Sequence, residues 1–563
     1  MIIHRIIRQT AALVMAVVVL FGSMTTVAGA EAKGSARNVI LLIPDGMGIG
    51  YMTAARIFKG EELSFERYVK GLMKTYSADT NITDSAAAGT AMATGYKTNN
   101  GMISVTPEGK EPDSILDAAR GKGKATGLVA TSRITHATPA VFTSHDPSRG
   151  NEVALAREYI GNVDVILGGG RDMFLLEKDG GKQPERDLVA EAKAGGYDYI
   201  TNRKEISQVK SNKVLGLFAM SDLKYEIDRD KENVPSLAEM TRLAVDVLSK
   251  KDNGFFLMVE GSQIDWAGHA NDPVALIHDM LAFEKAVDVA LEFAKKDKNT
   301  LVVVVGDHET GGINIGNTPG GYKENIAVLK KATGSANAIR DALKDKAAAI
   351  PLHGAKPLNG SYYVPVRELI AGLEGEVMYN EQASTVEVAV QGVKFTMNLA
   401  KETIVYGGHT VDGAYFVEDG TAFVDVRTIA DFIGLEVGIG TVKDKPEETK
   451  AYFVDGRKTV EPIIGFELTD ADLQAFTSVN WESDSALANE AGTVLSAHAL
   501  ISWGTRHHTG EEVPLYAYGK GANEFVGLID NTDLPRILSY LMDVELFKNG
   551  EQFMQRLEDR RNN

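Results

Sequence analysis

The stretch Val39-Ile40-Leu41-Leu42-Ile43-Pro44-Asp45-Gly46 sets five consecutive apolar residues directly before a proline, an acid and a glycine. Unbroken apolar character, without alternation, marks a strand buried on both faces, and such strands belong to parallel sheets covered by helices. Leu128–Ala130, Val163–Leu167, Phe255–Val259 and Leu301–Val305 read the same way, with helical patterns between them at Ser114–Ala119, Asn151–Tyr159, Ser236–Leu248 and Val274–Ala294. Strands alternating with helices predict a three-layer α/β/α fold with a mostly parallel central sheet. Ligands of such sheets bind beyond the carboxyl ends of the strands. Four runs lead there into ligand chemistry: Asp45 after the first, His136 and Thr138 after Leu128–Ala130, Glu260 after Phe255–Val259, and Asp307-His308 after Leu301–Val305.

Composition narrows the chemistry. The chain of 563 residues is 44% hydrophobic and 24% charged, an ordinary globular balance with room for more than one domain. It contains no cysteine, which removes disulfides, thiolate metal sites, iron–sulfur clusters and cysteine nucleophiles. A metal must then be held by imidazole nitrogen and by carboxylate or hydroxyl oxygen. The net charge of −18 argues against nucleic-acid binding, which needs a basic face. Residues 1–30 combine Arg5 and Arg8, no acid, the apolar run Ala11–Gly22 and small residues at Ala28-Gly29-Ala30. That is the pattern of a secretory signal peptide, its apolar run too short to span a bilayer. A secreted protein (extracellular, cell-wall associated or periplasmic) maturing near Glu31 is expected, with no membrane span.

Residues 351–446 carry short alternating strands and turn signals instead. Val364-Pro365-Val366-Arg367 is echoed sixty positions later by Val424-Asp425-Val426-Arg427, so the segment is an internal repeat. Each half reads as strand, short helix, strand. It is expected to be a small inserted α+β domain, splitting a core of 36–350 and 447–563, and it resembles the copper amine oxidase N-terminal-like domain of secreted bacterial proteins. No copper-ligand cluster accompanies it, since His353 and His409 are isolated. After it, Ala497–Trp503 and Pro514–Gly519 are expected to resume the strands of the core.

The sharpest motif is Thr83-Asp84-Ser85-Ala86-Ala87-Ala88-Gly89-Thr90. A serine followed by small residues suits a nucleophile at a helix start, where free N–H groups favour an anion; it also suits a capped, tightly packed helix. Asp265 and His269 lie four apart, on one helical face, able to share a metal. Asp307-His308 forms a second such set, and His508 follows late in the chain. His145, His278 and His498 have no convergent partners and read as structural.

Together these pieces resemble the alkaline phosphatase family: Pro44-Asp45-Gly46-Met47-Gly48, Asp84 through Thr90, His136-Ala137-Thr138-Pro139, Glu260 through Asp265 with His269, Asp307-His308-Glu309-Thr310-Gly311-Gly312, and His508-Thr509-Gly510. They stand in family order across nearly all of the chain outside the insert. The resemblance implies an exported, metal-dependent phosphomonoesterase with Ser85 as nucleophile and a phosphoserine intermediate. It implies two Zn2+, one held by Asp265, His269 and His508, the other by Asp45, Asp307 and His308 and facing Ser85. It implies one Mg2+ held by Asp45, Thr138 and Glu260 beside His136, where other members carry aspartate. Arg149 matches the phosphate-binding arginine, and Trp266 stands where other members have lysine or histidine. Small phosphate monoesters are the expected substrates; a homodimer and a cell-wall or surface partner of the insert are further expectations. A sulfatase would need proline where Ala87 stands, and phosphodiesterases of the superfamily more often use threonine than serine.

Overall fold

The computed structural model describes residues 32–316, 321–358 and 360–562; the expected signal segment 1–30 lies outside them. Ten strands form the central sheet: β1 (Asn38–Ile43), β2 (Val69–Lys74), β3 (Ala125–Arg133), β4 (Val165–Gly169), β5 (Asp198–Ile200), β6 (Val214–Leu217), β7 (Phe255–Glu260), β8 (Thr300–Val305), β9 (Val513–Gly519) and β10 (Gly527–Asp530). Their spatial order is β10-β2-β9-β8-β1-β7-β3-β4-β6-β5. All neighbours pair in parallel except β9, which runs antiparallel to both β8 and β2.

The unbroken apolar runs are explained by what covers them. Along β1, Ile40 and Leu42 pack into one hydrophobic cluster, with the helices Leu237–Leu248 and Pro273–Asp297. Val39, Leu41 and Ile43 pack into the other, with Ile115–Gly121 and Asp533–Met542. Each side chain lost from such a strand costs about 2–5 kcal/mol, so the register is firmly held. Helix ends follow local chemistry: Ser114 and Ser236 close capping boxes with Asp117 and Glu239.

Two expectations are corrected. Asn151–Tyr159 is not one helix; it breaks into Glu152–Leu155 and a 3-10 turn at Ala156–Glu158. In Ala497–Trp503 only Ile501–Trp503 is strand, because the helix Asp484–Ala499 runs through Ala499 and ends at Leu500 in the left-handed region, at φ 58°. Among the described residues no helix is long and apolar enough to cross a membrane.

The repeat has a structural counterpart. Ser361–Pro365 leads into Val366–Gly372 and then Glu376–Asn380, while Thr421–Asp425 leads into Val426–Ile433 and then Glu436–Val442. The two leading strands pair antiparallel with Val364 opposite Val424, the equivalent residues of the two halves. A local twofold relation therefore passes between them. Residues from Ile350 to Phe453 share one hydrophobic cluster. The strand Lys445–Val454 gives Ala451 and Phe453 to that cluster and Tyr452 and Val454 to the core, pairs with Glu436–Val442 and Ala348–Pro351, and runs past position 446.

Candidate active site

Four adjacent strands, β8-β1-β7-β3, deliver the site from their carboxyl ends. Asp45 follows β1, Glu260 closes β7 opposite Ile43, Asp307 and His308 follow β8, and Thr138 lies beyond β3. Asp265 and His269 come from the helix Gln263–Ala270, which starts three residues after β7. His508 arrives on a two-residue strand, His508–Thr509, paired with Glu309–Thr310 so that His508 opposes Thr310. Gly46 makes the crowding possible. Its φ is +75°, and a Cβ there would lie 2.8 Å from Thr310 Oγ1 and 2.9 Å from the Asp265 backbone.

Ser85 opens the helix Ser85–Thr94 and is 2% exposed. Asp84 caps that helix, its Oδ1 accepting from the Ala87 N–H at 2.9 Å. Its other oxygen accepts from the Gly101 N–H at 3.0 Å and from Arg149 at 2.9 Å. One carboxylate thus ties the serine's helix to the guanidinium. Arg149 also donates to His136 Nε2 at 3.1 Å.

Hydrogen bonding fixes which imidazole nitrogens are protonated. The Nδ1–H of His269 donates to the Arg506 carbonyl at 2.6 Å, and that of His508 to the Thr83 carbonyl at 2.8 Å. Carbonyl oxygens only accept, so in the neutral rings both Nε2 atoms carry lone pairs. These face each other at 3.1 Å, with the Asp265 carboxylate 3.4 Å from His269 Nε2 and 3.6 Å from His508 Nε2. Thr310 orders the third ring. Its hydroxyl donates to Asp265 Oδ1 at 2.5 Å and lies 3.3 Å from His308 Nδ1, from which it can only accept. His308 Nε2 then faces Ser85 Oγ at 3.1 Å, Asp307 Oδ2 at 3.4 Å and Asp45 Oδ1 at 3.5 Å.

Lone pairs and carboxylates that converge without a donor repel one another, and burial makes that costly. Asp45 Oδ1, Asp307 Oδ2 and Glu260 Oε1 are buried and accept no hydrogen bond. Among the described residues, two groups have the spacing of metal ligands: Asp265, His308 and His508, and Asp45, Asp307 and His308. His308 is common to both, and its ring stacks on His508 with centroids 3.6 Å apart. The oxygen and nitrogen donors, their deprotonated lone pairs and the backbone carbonyls behind them suit divalent cations. Thr138 donates to Asp45 Oδ2 at 3.0 Å. His136 stands apart from both groups, its Nε2 occupied by Arg149 and its Nδ1 buried without a partner.

The electrostatics agree. Burial, then the charge of Asp307 and Asp265, pushes Asp45 well above the usual carboxylate range. Burial and Asp45 do the same to Glu260. Burial and Asp265 push Asp307 up to about 7. Burial would raise Asp265 too, but the hydrogen bond and charge of His269, with His508 and His308, hold it below the ordinary range. Against its own burial, His269 is raised to about 8 by Asp265. Burial lowers His508 and His308. Burial, then the charge of Arg149, lowers His136 to about 3.

The histidines read as structural lie outside this assembly: His145 pairs with Glu158, His498 with Asp472, and His278 packs against Phe58. Asp84 and Thr310 are site residues whose ties to Arg149 and to Asp265 the sequence alone does not reveal. An acid immediately before a helix-opening serine was the available signal for the first; nothing marks the second.

Comparison with known proteins adds an independent line. The family model described as Alkaline phosphatase matches residues 36–406 and 421–544. The chain is similar to Alkaline phosphatase 3 of Bacillus subtilis (strain 168), 36% identical over 516 residues that cover 89% of this chain and 87% of the relative. It is similar to Alkaline phosphatase 4 of the same organism, 34% identical over 525 residues, covering 90% and 89%. Among solved structures it is similar to a cold-active alkaline phosphatase from the psychrophile Shewanella sp., with 27% identity, a TM-score of 0.65, and coverage of 90% of this chain and 99% of that one.

Proposed function

Because this chain belongs to the alkaline phosphatase family, whose members hydrolyse phosphate monoesters, we propose that it is an exported, metal-dependent phosphomonoesterase working through a phosphoserine at Ser85. The observation that carries this reading is the His308 imidazole facing the Ser85 hydroxyl, with His508 stacked on that ring, His269 facing His508, and the unpaired buried carboxylates of Asp45 and Asp307 beside it. Asp265, His269 and His508 would hold one zinc; Asp45, Asp307 and His308 would hold the second. Asp45, Thr138 and Glu260, with His136 alongside, would hold a magnesium. Bound there, the cations supply Lewis-acid stabilisation to the entering and leaving oxygens of an in-line displacement.

The remaining work falls to the chain's own groups. Arg149, held by Asp84, presents its planar fork to two non-reacting phosphate oxygens. Ser85 attacks phosphorus from the N-terminus of its helix, whose free N–H groups favour the anion. The alcohol leaves, and water then displaces the Ser85 oxygen to release inorganic phosphate. Two displacements retain configuration at phosphorus. Asp45, Glu260, Asp265 and Asp307 with Arg149 carry a formal charge of about −3, which would repel a phosphate dianion unless cations offset it. Hydrolysis of a chromogenic phosphate monoester tests the reading. Turnover should vanish with a strong chelator and return on adding zinc and magnesium; turnover insensitive to chelation refutes it.

The pKa directions add a second expectation. In the stripped protein, Asp45, Glu260 and Asp307 are raised, so folding favours their protonated forms. Each contribution is full below about pH 4 and is lost as pH rises through the raised pKa of its group, about 7 for Asp307. The contribution of His269 is likewise lost as pH rises through about 8, while lowered Asp265 works in the opposite direction. Cations replace those protons. The gain in melting temperature on adding zinc and magnesium should therefore grow between pH 5 and 8, and a gain that is flat or falls would contradict the assignment.

The domain reading carries over as part of the proposal: an insert of 351–446, its last strand continuing to Val454, between two parts of the catalytic core. We assign the insert, with its resemblance to the copper amine oxidase N-terminal-like domain, a surface or cell-wall partner, and the core a homodimer.

A further inference from the structure

The guanidinium of Arg506 takes no part in the chemistry above, yet it ties together the elements that present Asp265, His269 and His508. Its Nη1 donates to the Ala270 carbonyl at 2.7 Å, at the last residue of the helix Gln263–Ala270 that carries Asp265 and His269. Its Nη2 donates to the Asn489 carbonyl at 3.0 Å and to the Thr493 hydroxyl at 2.8 Å, both on the helix Asp484–Ala499. Its backbone stands two residues before His508, and its carbonyl accepts the His269 Nδ1–H at 2.6 Å.

The three rings differ in how firmly packing holds them. The His308 side chain is fully buried, and that of His508 is 13% exposed. The side chain of His269 is 35% exposed and leaves the last turn of its helix, so packing restricts it least. Its bond to the Arg506 carbonyl must supply the missing restraint, and a loop carbonyl orients a ring only if the loop itself is fixed. The helix Asp484–Ala499 is the support. A Cβ at Gly492 would lie 2.5 Å from the Ala270 carbonyl oxygen, so the end of the ligand helix rests directly on it. Ser496 donates to the Asn271 carbonyl at 3.0 Å and accepts from the Trp503 indole at 2.9 Å. Arg506 closes the remaining gap between loop and helix end. Capping the carbonyl end of the ligand helix explains its bond to Ala270 but not its reach to Asn489 and Thr493. Charge does not explain it either, since a guanidinium next to cation ligands opposes the cation.

We propose that Arg506 is a positioning residue for the cation held by Asp265, His269 and His508: its guanidinium pins the loop to both helices, so that its own carbonyl sets the His269 ring with Nε2 toward that cation. The proposal rests on the metal reading above. The test uses the full chain stripped of metal. Zinc is titrated in competition with a chromophoric chelator, and the His269 tautomer is read by proton–nitrogen NMR of histidine-labelled protein at a pH well above 8, where that ring is neutral. Arg506→Met keeps the length of the side chain and removes its donors. It should weaken one zinc about 10–100-fold, leave the other within about twofold, and turn the single Nδ1–H tautomer of His269 into a mixture. Thr493→Val removes one anchor of the guanidinium and decides if Arg506→Met misfolds: the same zinc weakened about two- to fivefold supports the role, and unchanged binding overturns it. In folded Arg506→Met, two zincs weakened alike would show general loosening and overturn the role. Zinc binding that is unchanged or tighter overturns it too, as does an unaltered tautomer. If the parent binds no zinc, the metal reading fails, and the tautomer decides the role of Arg506 alone: a mixture in Arg506→Met supports it, and an unaltered ring overturns it.

Discussion

Ser85→Ala should lower turnover of a phosphate monoester at least about a thousandfold while the fold and its melting temperature stay close to the parent's. The serine hydroxyl sits 3.1 Å from His308 Nε2, at the first position of a helix whose cap, Asp84, also grips Arg149. Removing one oxygen takes away the attacking atom and leaves the helix, its cap and the arginine in place. Alanine is a better helix former than serine, so no stability loss accompanies the change. Phosphate should still bind, because the Asp84–Arg149 pair and the carboxylate and imidazole cluster are untouched. A variant that keeps a tenth or more of the parent turnover would show that Ser85 is not the nucleophile.

Asp45→Asn should have the second-largest effect, and in two opposite directions. In the proposed arrangement Asp45 serves two ligand sets: one oxygen accepts from Thr138 and the other lies 3.5 Å from His308 Nε2. Replacing a ligand should weaken cation binding by about a hundredfold or more and turnover with it, since even outer partners of metal ligands cost 10–100-fold. Without metal the sign reverses. Burial and the charge of Asp307 and Asp265 penalise the Asp45 carboxylate, so the neutral amide relieves repulsion and the stripped variant should melt above the stripped parent at neutral pH. Melting curves with and without zinc and magnesium read both effects. A stripped variant that melts below its parent would contradict the charge crowding inferred here.

Much of this was legible in the chain because the relevant physics is local. Val39–Ile43 and its companions must be buried on both faces, and a parallel sheet fixes where their ends lead; Asp45, Glu260, Asp307 and His308 follow directly. The pairing of Asp265 with His269 needs only the helical repeat. His508 is different. Nothing within ten residues of it says that a two-residue strand will lay it against Thr310, and only the match to a family pattern placed it. The second role of Asp84 and the hydroxyl bond of Thr310 to Asp265 depend on contacts 65 and 45 residues apart, which no local pattern encodes. The same distance dependence explains the strand expected at Ala497–Trp503. Its first residues finish a helix whose cap, Ser483, lies well upstream.

The most direct test is acid-quenched mass spectrometry of the peptide that contains Ser85, taken from the zinc- and magnesium-loaded protein during turnover. The account predicts one added phosphoryl group on Ser85, absent after chelation and absent in Ser85→Ala. Steady hydrolysis with Ser85 unmodified at every quench time and pH would contradict it.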